Sequence, residues 1–422
     1  MRKHRYLIYK ITNPVLFEPM TPDTTPDLTQ RQRRHTITAL LSSAFIVGIA
    51  LGGLAPMLAL VMESRGVAPV LIGFNSAMSP IGVIAASFLT PALITRLGPF
   101  NAQLLGYGII VVAILLLSVF SPLPVWFALR FMMGVGLAIP WVVSESWLNM
   151  ATLTSSRGRI MALYTMILAL GFAAGPLVVA GFGSTGVAPY LVYALLVALS
   201  TLPLFLIRHL TPNMDMTAQT GSVHLILSAP TIFGAAMLAG FTDAATFSFL
   251  PLYGLRLGFH EGYAVTLLSL FLAGNLLLQY PIGWLADHVS RRAMLLFCAV
   301  VCFLGPALIP LIYASPVMLA GALFIWGGCA WATYGVALTM LGDRFPGSQL
   351  TAANAAFIMA FEIANVIGPP ASGYALGQWP PHGLMFLMAS IGALYFLLTA
   401  ARGLIRRLWN RSRCAGQRRW VP

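Results

Sequence analysis

Apolar residues run in long blocks along this chain, and polar residues gather at short, regular breaks between them. The blocks fall at roughly 36–62, 70–95, 101–120, 123–149, 158–183 and 187–209, and again at roughly 228–256, 262–286, 291–313, 316–341, 350–376 and 382–401. Each is about 20 residues or longer, enough to cross a hydrocarbon core of about 30 Å at about 1.5 Å per residue. The ten-residue alternation of a transmembrane β-barrel is absent. The pattern therefore predicts an all-α membrane protein of twelve transmembrane helices. A polar tail, 1–35, precedes a first six-helix bundle, 36–209. A short polar linker, 210–227, separates it from a second bundle, 228–401, and a basic tail, 402–422, follows.

Charge orients this plan. Of the 24 lysines and arginines, seven lie in the N-terminal tail and seven in the C-terminal tail. Seven more lie in the loops on the same face: Arg96, Arg157, Arg159, Arg208, Arg291, Arg292 and Arg344. Arg65 and Arg256 fall on the opposite face, and Arg130 within a helix. The positive-inside rule puts both termini in the cytoplasm, and a miscounted helix would scramble the alternation. Composition agrees: 59% of residues are hydrophobic, 8% are charged and mean hydropathy is +0.85, against about a quarter charged in soluble domains. The net charge of +13 does not point to nucleic acid, because it is split between tails and loops; the basic tails suit anionic lipid head groups. Residues 1–35 hold no apolar signal core, so the first helix is expected to serve as an uncleaved insertion signal. The four cysteines have neither metal nor disulfide spacing and read as small apolar fillers.

The two halves echo one another. Arg65 and Arg256 are 191 residues apart; Gly134 and Gly327, and Gly175-Pro176 and Gly368-Pro369, are 193 apart. The loops Leu93-Ile94-Thr95-Arg96 and Leu285-Ala286-Asp287-His288 correspond at 192. Offset and motif kept together indicate two six-helix pseudo-repeats.

The loop Gly283-Trp284-Leu285-Ala286-Asp287-His288-Val289-Ser290-Arg291-Arg292 resembles the major facilitator loop motif G-x-L-A-D-R-x-G-R-R, departing at His288 and Ser290. Its N-half copy has Thr95 where an aspartate is usual. Arg130-x-x-x-Gly134-x-Gly136 resembles the second motif of that superfamily, and Gly171-x-x-x-Gly175-Pro176 part of its antiporter motif, without the closing glycine pair. The stretch from Arg130 to Ser146, Arg157-Gly158-Arg159, Pro251-Leu252-Tyr253 and the run from Gln279 to Asp287 are similar to the YcaD-like branch of bacterial transporters. The resemblance implies a multi-pass carrier of the bacterial inner membrane, working by alternating access on a small molecule bound between the halves. Neither cofactor nor metal is implied, and a monomer is expected.

Few residues can carry mechanism in such a chain. Of its 11 acids, Glu145, Asp243 and Glu362 fall within helices, as does Arg130. A charge at mid-helix costs at least about 2.5–3.5 kcal/mol, so it must face a cavity or a partner. Asp243 and Glu362 sit at midplane depth, where a carboxyl group can exchange a proton near neutral pH; each is also readable as a protonated acid bonded to a neighbouring helix. The resemblance gives Arg130 a role in proton transfer or substrate anchoring, against a structural bond to backbone carbonyls. Glu145, with Arg96, and Asp287, with Arg291 and Arg292, are candidates for gating clusters on the cytoplasmic side. Trp141, Trp331, Tyr334 and Asn275 are candidates for the cavity wall. Pro140 and the Gly-Pro pairs interrupt their helices, chiefly for packing. His-Glu-x-x-His, Gly-x-Ser-x-Gly and phosphate-loop patterns are missing, so an enzyme or an ATP-driven pump is not expected. The expectation is a secondary transporter of a small organic solute, proton-coupled, with efflux of amphipathic compounds favoured. A uniporter and a non-transporting sensor or scaffold of the same fold are the alternatives.

Overall fold

The computed structural model describes residues 28–153, 156–212, 214, 226, 228–345 and 348–417. Twelve of its helices are long and apolar enough to cross a membrane, and the described residues contain no strand. They are α1 Gln30–Ser64, α2 Pro69–Ser87, α3 Pro99–Val119, α4 Leu123–Ala151, α5 Arg157–Phe182, α6 Ala188–Leu199 (which crosses together with the short helix Leu202–Leu206 that follows it), α7 Pro230–Arg256, α8 Glu261–His288, α9 Arg291–Ile312, α10 Pro316–Arg344, α11 Ser348–Gln378 and α12 Gly383–Gln417. Twelve crossings put both ends of the chain on the side of the linker; the opposite side is called the far side below.

Local chemistry explains three differences from the expected boundaries. The second block is not one helix: α2 stops at Ser87 and a short helix, Thr90–Leu97, follows. Pro91 near the start of that helix has no N–H to give the carbonyl four residues back. Pro203 breaks the sixth block in the same way, between Leu199 and the short helix Leu202–Leu206. In the third case α12 runs on to Gln417 where a tail was expected. Residues 402–417 hold no proline and are rich in arginine and leucine, which are good helix formers. Most of the linker and residues 1–27 lie outside the described residues.

Packing follows the duplication. In the first half α1 packs on α5 and α6, α2 on α4, and α3 on α4 and α6; in the second, α7 packs on α11 and α12, α8 on α10, and α9 on α10 and α12. Helices come close where glycine permits it. A Cβ on Gly134 of α4 would collide with the carbonyl oxygen of Ser79 in α2, and one on Gly327 of α10 with that of Phe271 in α8. The two glycines are 193 residues apart and their partners 192, so the duplication preserved a backbone contact as well as a residue. Such contacts are how helices associate in lipid, where burying apolar surface gives no advantage.

Two seams join the halves, α2 with α11 and α5 with α8, and α1 also meets α7. The contacts that define them lie towards the far side. Gly73 of α2 abuts Pro369 and Pro370, Gly373 of α11 abuts Pro69, and Gly262 of α8 lies beside the carbonyl of Ala180 in α5. Phe172 of α5 also reaches across to α7, packing edge-on against Phe247 at 5.8 Å. An ion pair closes this end. Arg256 of α7 donates from Nε (3.0 Å) and Nη2 (2.8 Å) to Glu63 Oε1 of α1, and from Nη1 to the carbonyl of Leu376 in α11 (3.1 Å). Arg65, the repeat-mate of Arg256, stays within its own half, its guanidinium 4.5 Å above the ring of Trp126. Beside the latch, His382 in the turn between α11 and α12 pairs with the Tyr253 hydroxyl at 3.0 Å, and burial pushes its imidazole below the usual range.

Two outcomes follow from this packing. Gly134→Ala and Gly327→Ala each force a helix pair apart, at about 1–3 kcal/mol for overpacking, and should lower the melting temperature of the purified protein. Gly321→Ala, whose Cβ meets nothing within 4 Å, should leave it unchanged; equal melts for all three would sink the packing account. Glu63→Gln should loosen the far side. The pair is partly exposed and worth about 0.2–1 kcal/mol, so labelling of a cysteine placed at Phe247 by an impermeant maleimide should rise about two- to fivefold; an unchanged rate would mean that the pair is no latch.

Candidate functional site

The carboxylates of α7 and α11 meet at the centre of the second half. Asp243 is the middle residue of Pro230–Arg256, and Glu362 lies within a residue of the middle of Ser348–Gln378. Asp243 lies within electrostatic reach of Glu362 and close to the indole of Trp331 in α10. That approach does not make a hydrogen bond of ordinary geometry: Asp243 Oδ1 and Trp331 Nε1 are both buried and unpartnered. Glu362 Oε2 accepts from Nδ2 of Asn365 at 3.3 Å, one turn further on, and leaves the amide oxygen of Asn365 buried and without a donor.

Aromatic rings enclose this pair. Trp331 and Tyr334 are three residues apart on α10, and Phe357 and Phe361 four apart on α11, so each pair shares a helix face. The rings interlock: Trp331 with Tyr334 at 6.1 Å, Trp331 with Phe361 at 6.0 Å, Tyr334 with Phe361 at 5.4 Å and Tyr334 with Phe357 at 4.9 Å. Trp331, Tyr334, Asp243 and Glu362 are each partly exposed although they lie at mid-depth.

Tyr334 links this group to the other half. Its phenol lies within electrostatic reach of Glu362 and also of Glu145 on α4. Glu145 in turn has Trp141, one turn earlier, and Tyr164 of α5 beside it. From the midplane towards the linker side the order is Asp243 and Glu362, then Tyr334, then Glu145, six residues from the end of α4 and hence about 9 Å deep.

Glu145 faces the aromatic group and joins no ion pair with Arg96, Arg157 or Arg159 among the described residues. The second expected gating cluster is described in part. Arg291 pairs with Asp343 at the end of α10, inside one half, and Arg292 donates to the carbonyl of Thr399 in α12 at 3.2 Å; the side chain of Asp287 lies outside the described residues. Arg130 is 6% exposed, and its Nε has no hydrogen-bond partner, so the expected bond to a backbone carbonyl is not made from that atom. Asn275 of α8 is buried with its amide oxygen unpartnered. Elsewhere in the first half, Gln103 donates to the Ser144 hydroxyl at 2.8 Å while its own amide oxygen is buried and unpartnered, and Ser43 and Tyr107 are 3.4 Å apart. Cys298, Cys302 and Cys329 are free and buried, as expected of apolar fillers.

Sequence reasoning passed over Phe357, Phe361, Tyr164, Asp343 and the pairing of Glu63 with Arg256. A signal existed for the first two: the spacing of 357, 361 and 365 sets two rings and an amide on one stripe beside Glu362. None existed for the latch, since its partners are 193 residues apart and on different halves.

Comparison with known proteins agrees with this architecture. The model of the Major Facilitator Superfamily matches residues 40–268 and 232–411. The MFS-type transporter YfkF of Bacillus subtilis (strain 168) is 25% identical over 367 residues, covering 85% of this chain and 93% of its own. The MFS-type transporter YcaD of Escherichia coli O6:K15:H31 (strain 536 / UPEC) is 26% identical over 367 residues, covering 86% and 94%. Among solved structures, the nucleoside transporter NupG superposes with a TM-score of 0.70 at 14% identity, over 87% of this chain and 98% of that one. The twelve crossings, the duplicated packing and these matches together establish that the chain belongs to the major facilitator superfamily.

Proposed function

We propose that this chain is a proton-coupled secondary transporter of a small organic solute, working by alternating access in the bacterial inner membrane with both termini cytoplasmic. The observation that carries this reading is the pair Asp243 and Glu362: two carboxyl groups within electrostatic reach, at mid-depth, with one oxygen buried and unpartnered. In a medium of low dielectric two such groups repel, and the pair is relieved by a proton or by a bound group that donates to it. A site with that choice can exchange one for the other, which is what coupling requires.

Access fits the same scheme. The seams and the Glu63–Arg256 pair lie on the far side, so the partly exposed central residues are reached from the linker side, past Glu145 and Tyr334. Opening the far side breaks one partly exposed ion pair and separates the glycine-proline contacts of α2 and α11. The barrier this sets is small, as a carrier that must cycle needs. Export of amphipathic compounds suits a site walled by the rings of Trp331, Tyr334 and Phe361. Arg130, buried about 10 Å from the far end of α4, is a second polar post that solute or proton meets on leaving. The chain acts as a monomer, and its basic tails lie against anionic head groups.

Reconstituted into liposomes and given a panel of candidate compounds, wild type should show solute-dependent proton movement. Asp243→Asn and Glu362→Gln should each reduce it at least about tenfold, the equivalent of roughly 1.4 kcal/mol, while the proteins keep their melting temperature; unimpaired coupling in both variants would sink the reading. Arg130→Lys keeps the charge but loses the planar fork and should slow transport; full activity in it would argue against any anchoring by Arg130.

A further inference from the structure

The Asp243–Glu362 site is negative in every element that faces it. Asp243 and Glu362 supply carboxylates from two helices, and Glu145 adds a third acid one turn beyond Tyr334. Asp243 is influenced by burial, Glu362 and Trp331, and Glu362 by burial and Asn365, with no arginine, lysine or histidine among those influences. The partly exposed rings of Trp331, Tyr334 and Phe361 bring faces whose quadrupole is also negative, with Phe357 buried behind them.

A second observation, independent of charge, concerns unmet hydrogen bonds. Two buried acceptors, Asp243 Oδ1 and Asn365 Oδ1, and one buried donor, Trp331 Nε1, have no partner. Other such atoms are scattered through the described residues, but here three gather beside a carboxyl pair, and a guest that chiefly donates would satisfy two of them. The acceptors lie beside an aromatic wall, so the guest also brings an apolar body to it.

We infer that the solute is an organic cation carrying an N–H ammonium and an aromatic or similarly broad apolar body, held with its nitrogen between Asp243, Glu362 and Asn365 and its body against Trp331, Tyr334 and Phe361. The inference rests on the transport reading above and narrows it. The ammonium supplies the N–H donors that Asp243 Oδ1 and Asn365 Oδ1 lack, and its charge replaces the proton that otherwise relieves the carboxyl pair. Cation and proton then compete for one site, which couples their movement in opposite directions. A sugar would leave the rings without a cation and demand more polar partners than the wall offers. An anion would meet two acids and three ring faces.

The test uses the full chain in lipid nanodiscs, with empty nanodiscs to subtract partitioning into lipid, and three probes that share a naphthyloxy body. Propranolol carries a secondary ammonium, 3-(1-naphthyloxy)-1,2-propanediol is uncharged, and 1-naphthoxyacetate is an anion. Propranolol should bind at least about tenfold more tightly than either analogue. Asp243→Asn and Glu362→Gln should remove most of that preference while leaving the weak binding of the diol unchanged. Trp331→Leu should weaken propranolol about three- to tenfold, as the loss of a cation–π contact does. Equal affinity for the diol, preference for the naphthoxyacetate, or no binding of any probe by protein that melts like wild type would each overturn the inference. Should an acid-to-amide variant fail to fold, the ranking of the three probes on wild type decides alone. Uptake of the same probes into liposomes separates this inference from the one beneath it. Propranolol bound but never moved would defeat transport and spare the cation site; the diol moved with protons while propranolol is ignored would do the reverse.

Discussion

Inside a bilayer no water is at hand to bond an exposed backbone amide, and that constraint governs the rest of this molecule. Each segment that crosses must satisfy its own N–H and C=O groups, which leaves helices as the answer for a chain of this pattern. It also removes the usual reason for helices to associate, since lipid is as apolar as the side chains it touches. Association then rests on close contact and on polar atoms. The Gly134–Ser79 and Gly327–Phe271 approaches supply the first, and the Gln103–Ser144 bond the second. A polar atom left unbonded in such a setting is costly, and three of them gather beside the Asp243–Glu362 pair.

A carrier has to be rigid within each half and yielding between them, and the contacts divide accordingly. Within halves, backbones touch at Gly134 and Gly327. Between halves, the far-side contacts are proline and glycine surfaces, one ring pair and one ion pair with both partners partly exposed. Interactions of that kind are individually weak, and a boundary made of them can open without disturbing either bundle.

Hydropathy made the twelve spans legible, because a block of twenty apolar residues has few other uses, and the arginine count tested the number independently. The midplane acids were legible for the same reason: Asp243 and Glu362 stand out against apolar neighbours. What the sequence could not show was which helix faces turn towards one another. Glu145 reads as a surface charge near a helix end, and only packing turns it towards Tyr334 of the other half. Asp343 reads as a loop residue until α9 and α10 come together and it meets Arg291. Boundaries failed where a single proline acted, at Pro91 and Pro203, since the apolar pattern continues unbroken across both. The rings at 357 and 361 read as ordinary membrane filler, because phenylalanine serves lipid and cavity equally well.

The duplication clarifies why the chemistry is lopsided. At the offset of 193 that relates Gly134 to Gly327, the mates of the four intramembrane charges are all apolar: Ala50 for Asp243, Ala169 for Glu362, Leu323 for Arg130 and Leu338 for Glu145. Contacts that hold a bundle together are needed twice, once in each half, and glycine at a crossing was kept in both. A charge in lipid costs several kcal/mol and is tolerated only where it faces a partner or a guest. One guest between two halves needs its counter-charges once. The scaffold is therefore symmetric and the site is not: the second half contributes the carboxyl pair and its aromatic wall, and the first contributes a single acid reaching across to Tyr334.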